Sequence, residues 1–237
     1  MDRGMRLPPL RLDLRAMGWN LSFPLVAHLA VVLHLYFSGG GRVGQLPGET
    51  IQTAVGLVSP LLVTFWVSAL YQDLVESDGK EALLALPYNS FALGVLRVLR
   101  TAFFYFLFVW GVIRLLFLFS PAPGASPLAW LVLATSIFFF SALAFFAVVL
   151  TRRLVYTYLL VAVFSVGEWA RIYLASLRFG LQTLPAGGGA AAFNPFQLAQ
   201  PAPGADPLVV SFILFIAAVF LLSCGQMLFT RRGYLLG

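Results

Sequence analysis

Long apolar runs alternate with short polar segments along the whole chain. Each run holds about 18 or more residues with few charges, which is enough for a helix to cross the roughly 30 Å hydrocarbon core of a bilayer. Six runs are predicted as membrane spans, at Trp19–Ser38, Ile51–Tyr71, Thr101–Phe119, Leu128–Leu150, Leu154–Ser176 and Leu208–Phe229. The pattern therefore predicts an all-α polytopic membrane protein with about six transmembrane helices, a single domain over residues 1–237.

The basic residues near the span ends indicate how the chain is oriented, because cytoplasmic segments carry an excess of arginine and lysine. One side of the predicted topology collects Arg3, Arg6, Arg11, Arg15, Lys80, Arg97, Arg100, Arg152, Arg153, Arg231 and Arg232. Only Arg42 and Arg178 fall clearly on the other side. We therefore expect a multi-pass protein of the cell membrane with both termini in the cytoplasm.

The N-terminal segment, residues 1–18, interleaves its arginines with apolar side chains at Leu7, Leu10, Leu12, Leu14 and Met17. This pattern predicts an amphipathic helix that lies at the cytoplasmic interface with its arginines near lipid headgroups. A simple charged anchor is the alternative interpretation. Membrane lipids are an expected partner in either case.

A charged island interrupts the apolar pattern between the second and third predicted spans, over residues 72–89. It holds the only lysine of the chain and four of its nine acidic residues, in a chain of which only 10% of residues are charged. Such a cluster must face water, because an ionised side chain near the bilayer centre is costly. Its acidic beginning is followed by Ala82, Leu83, Leu84 and Leu86 and then by Pro87. This order predicts a short helix with one apolar face and a defined end, which is typical of a docking element.

The last segment on the outer side, residues 177–207, is long and rich in glycine, alanine and proline, yet it carries several apolar side chains. Loops of this length are rarely plain connections. We expect the segment to fold back on the outer membrane surface as short re-entrant or interfacial helices.

Ionisable residues inside the predicted spans are few. Glu168 and Arg171 are three residues apart on one face of the fifth span and are able to pair, and Arg114 of the third span reaches a similar depth. They are interpreted either as a polar cluster at the outer end of a substrate path or as an interfacial set that fixes helix register. For His28 and His34 in the first span, packing or a hydrogen bond to a neighbouring span is expected.

The composition of the chain excludes several classes of function. With 60% hydrophobic residues the chain is too apolar for an ordinary soluble domain, and the positive-inside pattern accounts for its net charge of +6 without a nucleic-acid partner. A phosphate-binding cradle would end in Gly-Lys-Ser or Gly-Lys-Thr. Here Gly79 and Lys80 are followed by Glu81, so no ATPase site and no bound cofactor are predicted in this chain.

The two spans, the charged island ESDGKEALLALP and the four further spans together resemble the type-2 ABC transporter permease family. In that family the cytoplasmic segment after the second span has an acidic residue, a glycine, then Glu-Leu-Leu-Leu and a proline, and Glu76, Gly79, Glu81, Leu83, Leu84 and Pro87 occupy those places. The resemblance implies a coupling helix that docks on a separate ATPase subunit, which holds the ATP and Mg, with Asp78 and Lys80 completing the docking residues. Lys80 departs from the threonine often found after the glycine, and Ala82 is smaller than the usual residue.

The resemblance further implies a second permease copy or a related permease, since six spans form half of the usual pathway. The expected function is that of the membrane-spanning subunit of an ATP-driven exporter for an apolar or amphipathic substrate. Two alternatives remain open. One is a polytopic lipid-modifying membrane enzyme, and the other is an ATP-independent channel or carrier with Glu168 as its coupling site.

Overall fold

The computed structural model describes residues 10–38, 48–72, 89–118, 127–160, 163 and 206–230. Within these ranges the protein is helical and has no strands. The elements are α1 (Leu10–Met17), a 3-10 turn (Gly18–Leu21), α2 (Ser22–Ser38), α3 (Gly48–Leu70), a π turn (Ala92–Leu96), α4 (Arg97–Leu118), α5 (Pro127–Thr151), a short helix over 154–160 and α6 (Pro207–Thr230).

Four helical stretches in the described ranges are long and apolar enough to cross a membrane, at Asp13–Phe37, Ala92–Leu118, Pro127–Thr151 and Pro207–Thr230. They coincide with the first, third, fourth and sixth predicted spans. The second predicted span is helical as α3, which is 23 residues long and has a shorter apolar part, Val58–Leu70. Most of the fifth predicted span and residues 177–205 of the predicted outer segment lie outside the described residues, so the count of six spans stays a prediction.

The third span begins earlier than the sequence predicts. Its helix continues through the π turn from Ala92, so that Arg97 and Arg100 lie on the helix instead of in a loop before Thr101. Both arginines bond Asp13 of α1. An ionised side chain tolerates such a position when it is paired, which is why the apolar pattern alone places the start of the helix about two turns too late.

Helix α1 divides its surface into three stripes, each made of two residues four apart. Asp13 and Met17 are buried against the protein, Leu10 and Leu14 are exposed, and Arg11 and Arg15 are exposed beside them. Gly18, with φ of 49°, then turns the chain into α2. Glycine adopts this left-handed conformation without the steric cost that other residues pay. The stripes support the interpretation of α1 as an interfacial helix.

Helices α2 and α3 pack antiparallel, and so do α3 and α4. Asn20 at the start of the first pair bonds Gln72 beyond the end of α3, whereas His28 further along bonds Ser59. Across the second pair, Leu70 bonds Arg97 and the ring of Trp66 contacts that of Tyr105. Up-and-down packing of consecutive helices is what short connections between membrane spans produce.

Helices α5 and α6 pack parallel to each other. Phe138 at the middle of α5 stacks on Phe215 in the first half of α6, with ring centroids 5.7 Å apart. Towards their ends, Gly225 lies directly against Phe145. Phe145 also contacts Tyr71, so the ends of α5 and α6 meet the end of α3 and the start of α4.

Six of the seven described basic residues gather at this end of the molecule, which we call the basic end: Arg11, Arg15, Arg97, Arg100, Arg152 and Arg153. Arg114 lies towards the opposite end. The three-dimensional arrangement of the described helices thus has the charge asymmetry that the sequence predicts. The 73–88 part of the charged island is joined to the basic end, because Gln72 and Asn89 on its two sides both lie there.

Candidate functional site

The predicted docking residues lie outside the described residues: Glu76, Asp78, Gly79, Lys80, Glu81, Leu83, Leu84 and Pro87. The structure describes the residues on both sides of this segment, namely Tyr71 and Gln72 before it and Asn89 after it. Asn89 is exposed, and its side-chain Oδ1 accepts a hydrogen bond from the backbone N–H of Phe91 at 3.2 Å. It therefore caps the helix that follows, as asparagine commonly does.

A buried ion cluster lies beside these two attachment points. The Asp13 carboxylate accepts a hydrogen bond from Arg97 Nε at 2.8 Å and another from Nη2 of Arg100. Arg97 is 0% exposed and Asp13 2%. A pair of charges removed from water is stable only when both members keep their partners, so the cluster strongly favours one arrangement of α1 on α4.

Arg97 also reaches α3. Its Nη2 lies 3.4 Å from the carbonyl oxygen of Leu70, and its guanidinium lies over the ring of Tyr71, 5.6 Å from the centroid. A cation over an aromatic face is attracted by the negative charge density of the ring, and more so where water is absent. Arg97 therefore links the end of α3, the start of α4 and the inward face of α1.

Tyr71 completes the link through the π turn. Its hydroxyl lies 2.8 Å from the carbonyl oxygen of Gly94 and 3.3 Å from that of Leu93. The wider turn of a π-helix displaces such carbonyl groups from their usual helical partners, and π turns recur at functional sites. On the other side, the Asn20 amide donates to the Gln72 side-chain oxygen at 3.3 Å. The chain thus enters the charged island at a point that α1, the 3-10 turn and α4 hold in place.

The sequence indicated Arg97 and Arg100 only as orientation signals and gave no role to Asp13. One signal was present: Asp13 is an acidic residue among the arginines of a basic segment, on the same helical face as Met17. Its partner, however, lies 84 positions along the chain. No local pattern identifies a contact over that distance.

Arg114 is the one member of the predicted intramembrane set within the described ranges. It is exposed on α4, about 6 Å from the end of the helix at 1.5 Å per residue, with its guanidinium 5.5 Å from the ring centre of Trp110. A side chain in this position extends readily to the membrane surface along a tryptophan, which supports the interfacial interpretation. Glu168 and Arg171 lie outside the described residues, so their pairing stays a prediction.

A second polar group, between α2, α3 and α4, was not predicted as a unit. His28 is 2% exposed, its Nδ1 lies 2.7 Å from the carbonyl oxygen of Pro24, and its Nε2 lies 3.0 Å from Ser59 Oγ. Because a carbonyl only accepts, Nδ1 donates to Pro24. The Ser59 hydroxyl lies between His28 Nε2 and the carbonyl oxygen of Val55, to which it donates at 2.6 Å. The expected hydrogen bond to a neighbouring span is confirmed for His28, whereas His34 lies on the exposed side of α2.

Aromatic rings close this group from the side of α4. Phe108 and Tyr105 meet the His28 ring edge-on, at centroid distances of 5.2 and 5.9 Å. Such rings exclude water from the His28–Ser59 bond. In the parts of the chain that the structure describes, no three histidine, cysteine or acidic side chains lie together as they would to hold a metal ion.

The comparisons with known proteins add no relative: no protein-family model, curated sequence or solved structure matches this chain. The fold defines a helical protein with four helices of membrane-spanning length and apolarity among its described residues. The function is therefore inferred from the charged island and from the structure around its two ends.

Proposed function

We propose that this chain is the membrane-spanning permease subunit of an ATP-driven exporter of the type-2 ABC kind. It moves an apolar or amphipathic substrate and works with a separate ATPase subunit, which binds ATP and Mg. The observation that carries the proposal is the buried cluster of Asp13, Arg97 and Arg100 at the base of the charged island.

The cluster supports a mechanical role for the island. A docking segment transmits force only when its ends are fixed to the elements that must move. Tyr71 and Arg97 tie the two sides of the 73–88 segment to each other and to α1. In the proposed mechanism, closure of the ATPase subunits displaces this segment, and α3, α4 and α1 move with it as one unit.

The parallel packing of α5 and α6 supports the six-span topology. Two parallel spans need a return crossing between them, which the sequence predicts as the fifth span, Leu154–Ser176. With six spans both termini lie on the basic side, which the positive-inside rule places in the cytoplasm. A second permease copy or a related permease then completes the pathway.

The His28 group favours a second candidate, an ATP-independent carrier. Ionisable residues inside membrane spans often mark proton or ion routes, and His28 is a titratable group buried between three helices. Its two ring nitrogens are both occupied by protein partners, however, which suits a fixed link between α2 and α3. The ATP-driven exporter accounts for the charged island as well, and the carrier does not.

Co-purification tests the exporter. The chain is expressed together with the genes that surround its own, captured through a tag on the chain alone, and assayed for ATP turnover in vesicles. We expect the ATPase to co-purify and turnover to require both chains, because this chain has no phosphate cradle. ATP turnover by the purified chain alone, or proton-driven transport that needs no ATPase, would contradict the proposal.

A further inference from the structure

A groove runs between the first three turns of α5 and of α6, at the end of the molecule opposite the basic end. Its volume is about 540 Å³, and it is lined by Leu131, Thr135, Leu208, Val209, Ser211, Phe212 and Phe215. Val209 and Phe212 are 53% and 64% exposed, so the groove opens on the outer surface of α6. On a membrane-spanning helix this surface meets lipid, and the bilayer is the immediate source of whatever fills the groove.

Ser211 is the unusual member of the lining. It is 3% exposed, and its hydroxyl has no hydrogen-bond partner among the described residues. The other described serine and threonine hydroxyls of α5 and α6 bond a backbone carbonyl of their own helix: those of Thr135, Ser136, Ser141, Thr151, Ser223 and Thr230. A hydroxyl without a partner in hydrocarbon is costly, which indicates that an acceptor outside the helix belongs at this position.

The depth of Ser211 indicates which acceptor is available. Helix α6 has 24 residues and is about 36 Å long, so a helix centred on a hydrocarbon core of roughly 30 Å and parallel to the bilayer normal would extend about 3 Å beyond it at each end. Asp206, exposed just before the helix, marks the polar boundary. Ser211 lies four residues into α6, about 6 Å from its start, and so about 3 Å inside the hydrocarbon. The ester carbonyls of glycerophospholipids lie at this boundary, directly above their acyl chains.

We propose that the groove binds one acyl chain of an ester-linked glycerophospholipid, with the Ser211 hydroxyl donating a hydrogen bond to the ester carbonyl oxygen. The apolar lining then holds the upper part of the chain between Thr135 and Phe215, and the headgroup lies near Asp206. The site belongs to the leaflet opposite the basic end. It does not depend on the exporter function, because lipid occupancy requires neither ATP nor a partner subunit.

Photolabelling tests the site on the full chain in phosphatidylcholine vesicles. A trace of phosphatidylcholine with a diazirine on the upper acyl chain is added as its diester or as its diether analogue, which lacks the carbonyl. We expect the diester to label peptides containing residues 131–135 and 208–215 about threefold more than the diether, the size of one hydrogen bond within a membrane. Ser211→Ala should lower diester labelling to the diether level and leave diether labelling unchanged.

Two further variants distinguish lipid binding in the groove from ordinary lipid contact on the surface of α6. Thr135→Trp fills the groove and should reduce labelling there several-fold, whereas Ser223→Ala, on the exposed face near the other end of α6, should change nothing. Equal labelling along the whole exposed face of α6, unaffected by Thr135→Trp, would overturn the groove. Equal labelling of the wild-type groove by diester and diether would overturn the role of Ser211, and this comparison needs no variant to fold.

Discussion

Asp13 shows how much a single buried charge decides in this protein. The energetic cost of removing a carboxylate from water is large, and here two arginines offset it. Arg11 and Arg15, only two positions away on either side, are exposed and have no comparable effect on packing. The same short helix therefore carries residues that are expected to differ greatly in their contribution to stability.

Replacing Asp13 with asparagine should lower the free energy of unfolding by about 3 to 5 kcal/mol, because it leaves Arg97 buried without its counter-charge. Denaturant titration in detergent measures the change. Arg11→Gln, an exposed substitution on the same helix, is the matched control and should stay within about 0.5 kcal/mol. The double variant Asp13→Asn/Arg97→Gln should recover part of the loss. Equal unfolding midpoints for Asp13→Asn and Arg11→Gln would contradict the role of the cluster.

At the scale of the elements, glycine decides how closely α5 and α6 approach. A methyl group added at Gly225 would lie 2.8 Å from Cε1 of Phe145, whose ring is 0% exposed. Small residues commonly allow such approach between membrane helices. At Gly111 on α4, by contrast, an added methyl group meets nothing within 4 Å. The two glycines look alike in the sequence and differ only in what faces them.

The variants Gly225→Ala and Gly111→Ala should therefore have effects of opposite sign. At Gly225 the crowding of the buried Phe145 ring costs about 1 to 3 kcal/mol and outweighs the gain in helix propensity. At Gly111 only the propensity gain of up to about 1 kcal/mol remains. Unfolding of both variants under the same detergent conditions gives the comparison. A stabilising Gly225→Ala would show that α5 and α6 can separate without loss.

On the scale of the whole molecule, most of the described features that support the proposed function lie at the basic end. Three helices and the 3-10 turn meet there around Tyr71 and Arg97, and the charged island is attached between them. The opposite end holds the lipid-facing groove and Arg114. The two ends of the molecule thus differ both in charge and in proposed role, with docking at the basic end and lipid contact at the opposite end.

Within the exporter proposal, Leu84→Asp should abolish co-purification of the ATPase and leave membrane insertion intact, because it places a charge on the predicted apolar docking face. Asn89→Asp is the matched control. It adds the same charge at the last residue of the island, outside the predicted docking face, and preserves the helix cap, since a carboxylate accepts the bond from Phe91 equally well. Pull-down at equal membrane levels measures the effect. Retention of the ATPase by Leu84→Asp at the Asn89→Asp level would reject this docking face.

The sequence by itself determined those features that depend on local composition. The lengths of the apolar runs predict the helices, since each must satisfy its own backbone in lipid, and the described chain is helical where they lie. The arginines near the ends of the runs predict a basic end of the molecule. This prediction needs no tertiary structure, because burying a charge in lipid is costly at each position separately. A hydrogen bond for His28 was also predictable, since a buried polar ring needs a partner.

Only the tertiary structure decided which faces meet. The pairing of Asp13 with Arg97, the choice of Ser59 as the partner of His28, and the groove beside Ser211 depend on helix rotation and on the order of neighbours. A run of apolar residues does not specify helix rotation or the order of neighbours, because any apolar face of a helix is equally stable in contact with lipid. In a membrane the helices are therefore determined locally, and their partners are selected by the few polar groups and glycines that distinguish one face from another.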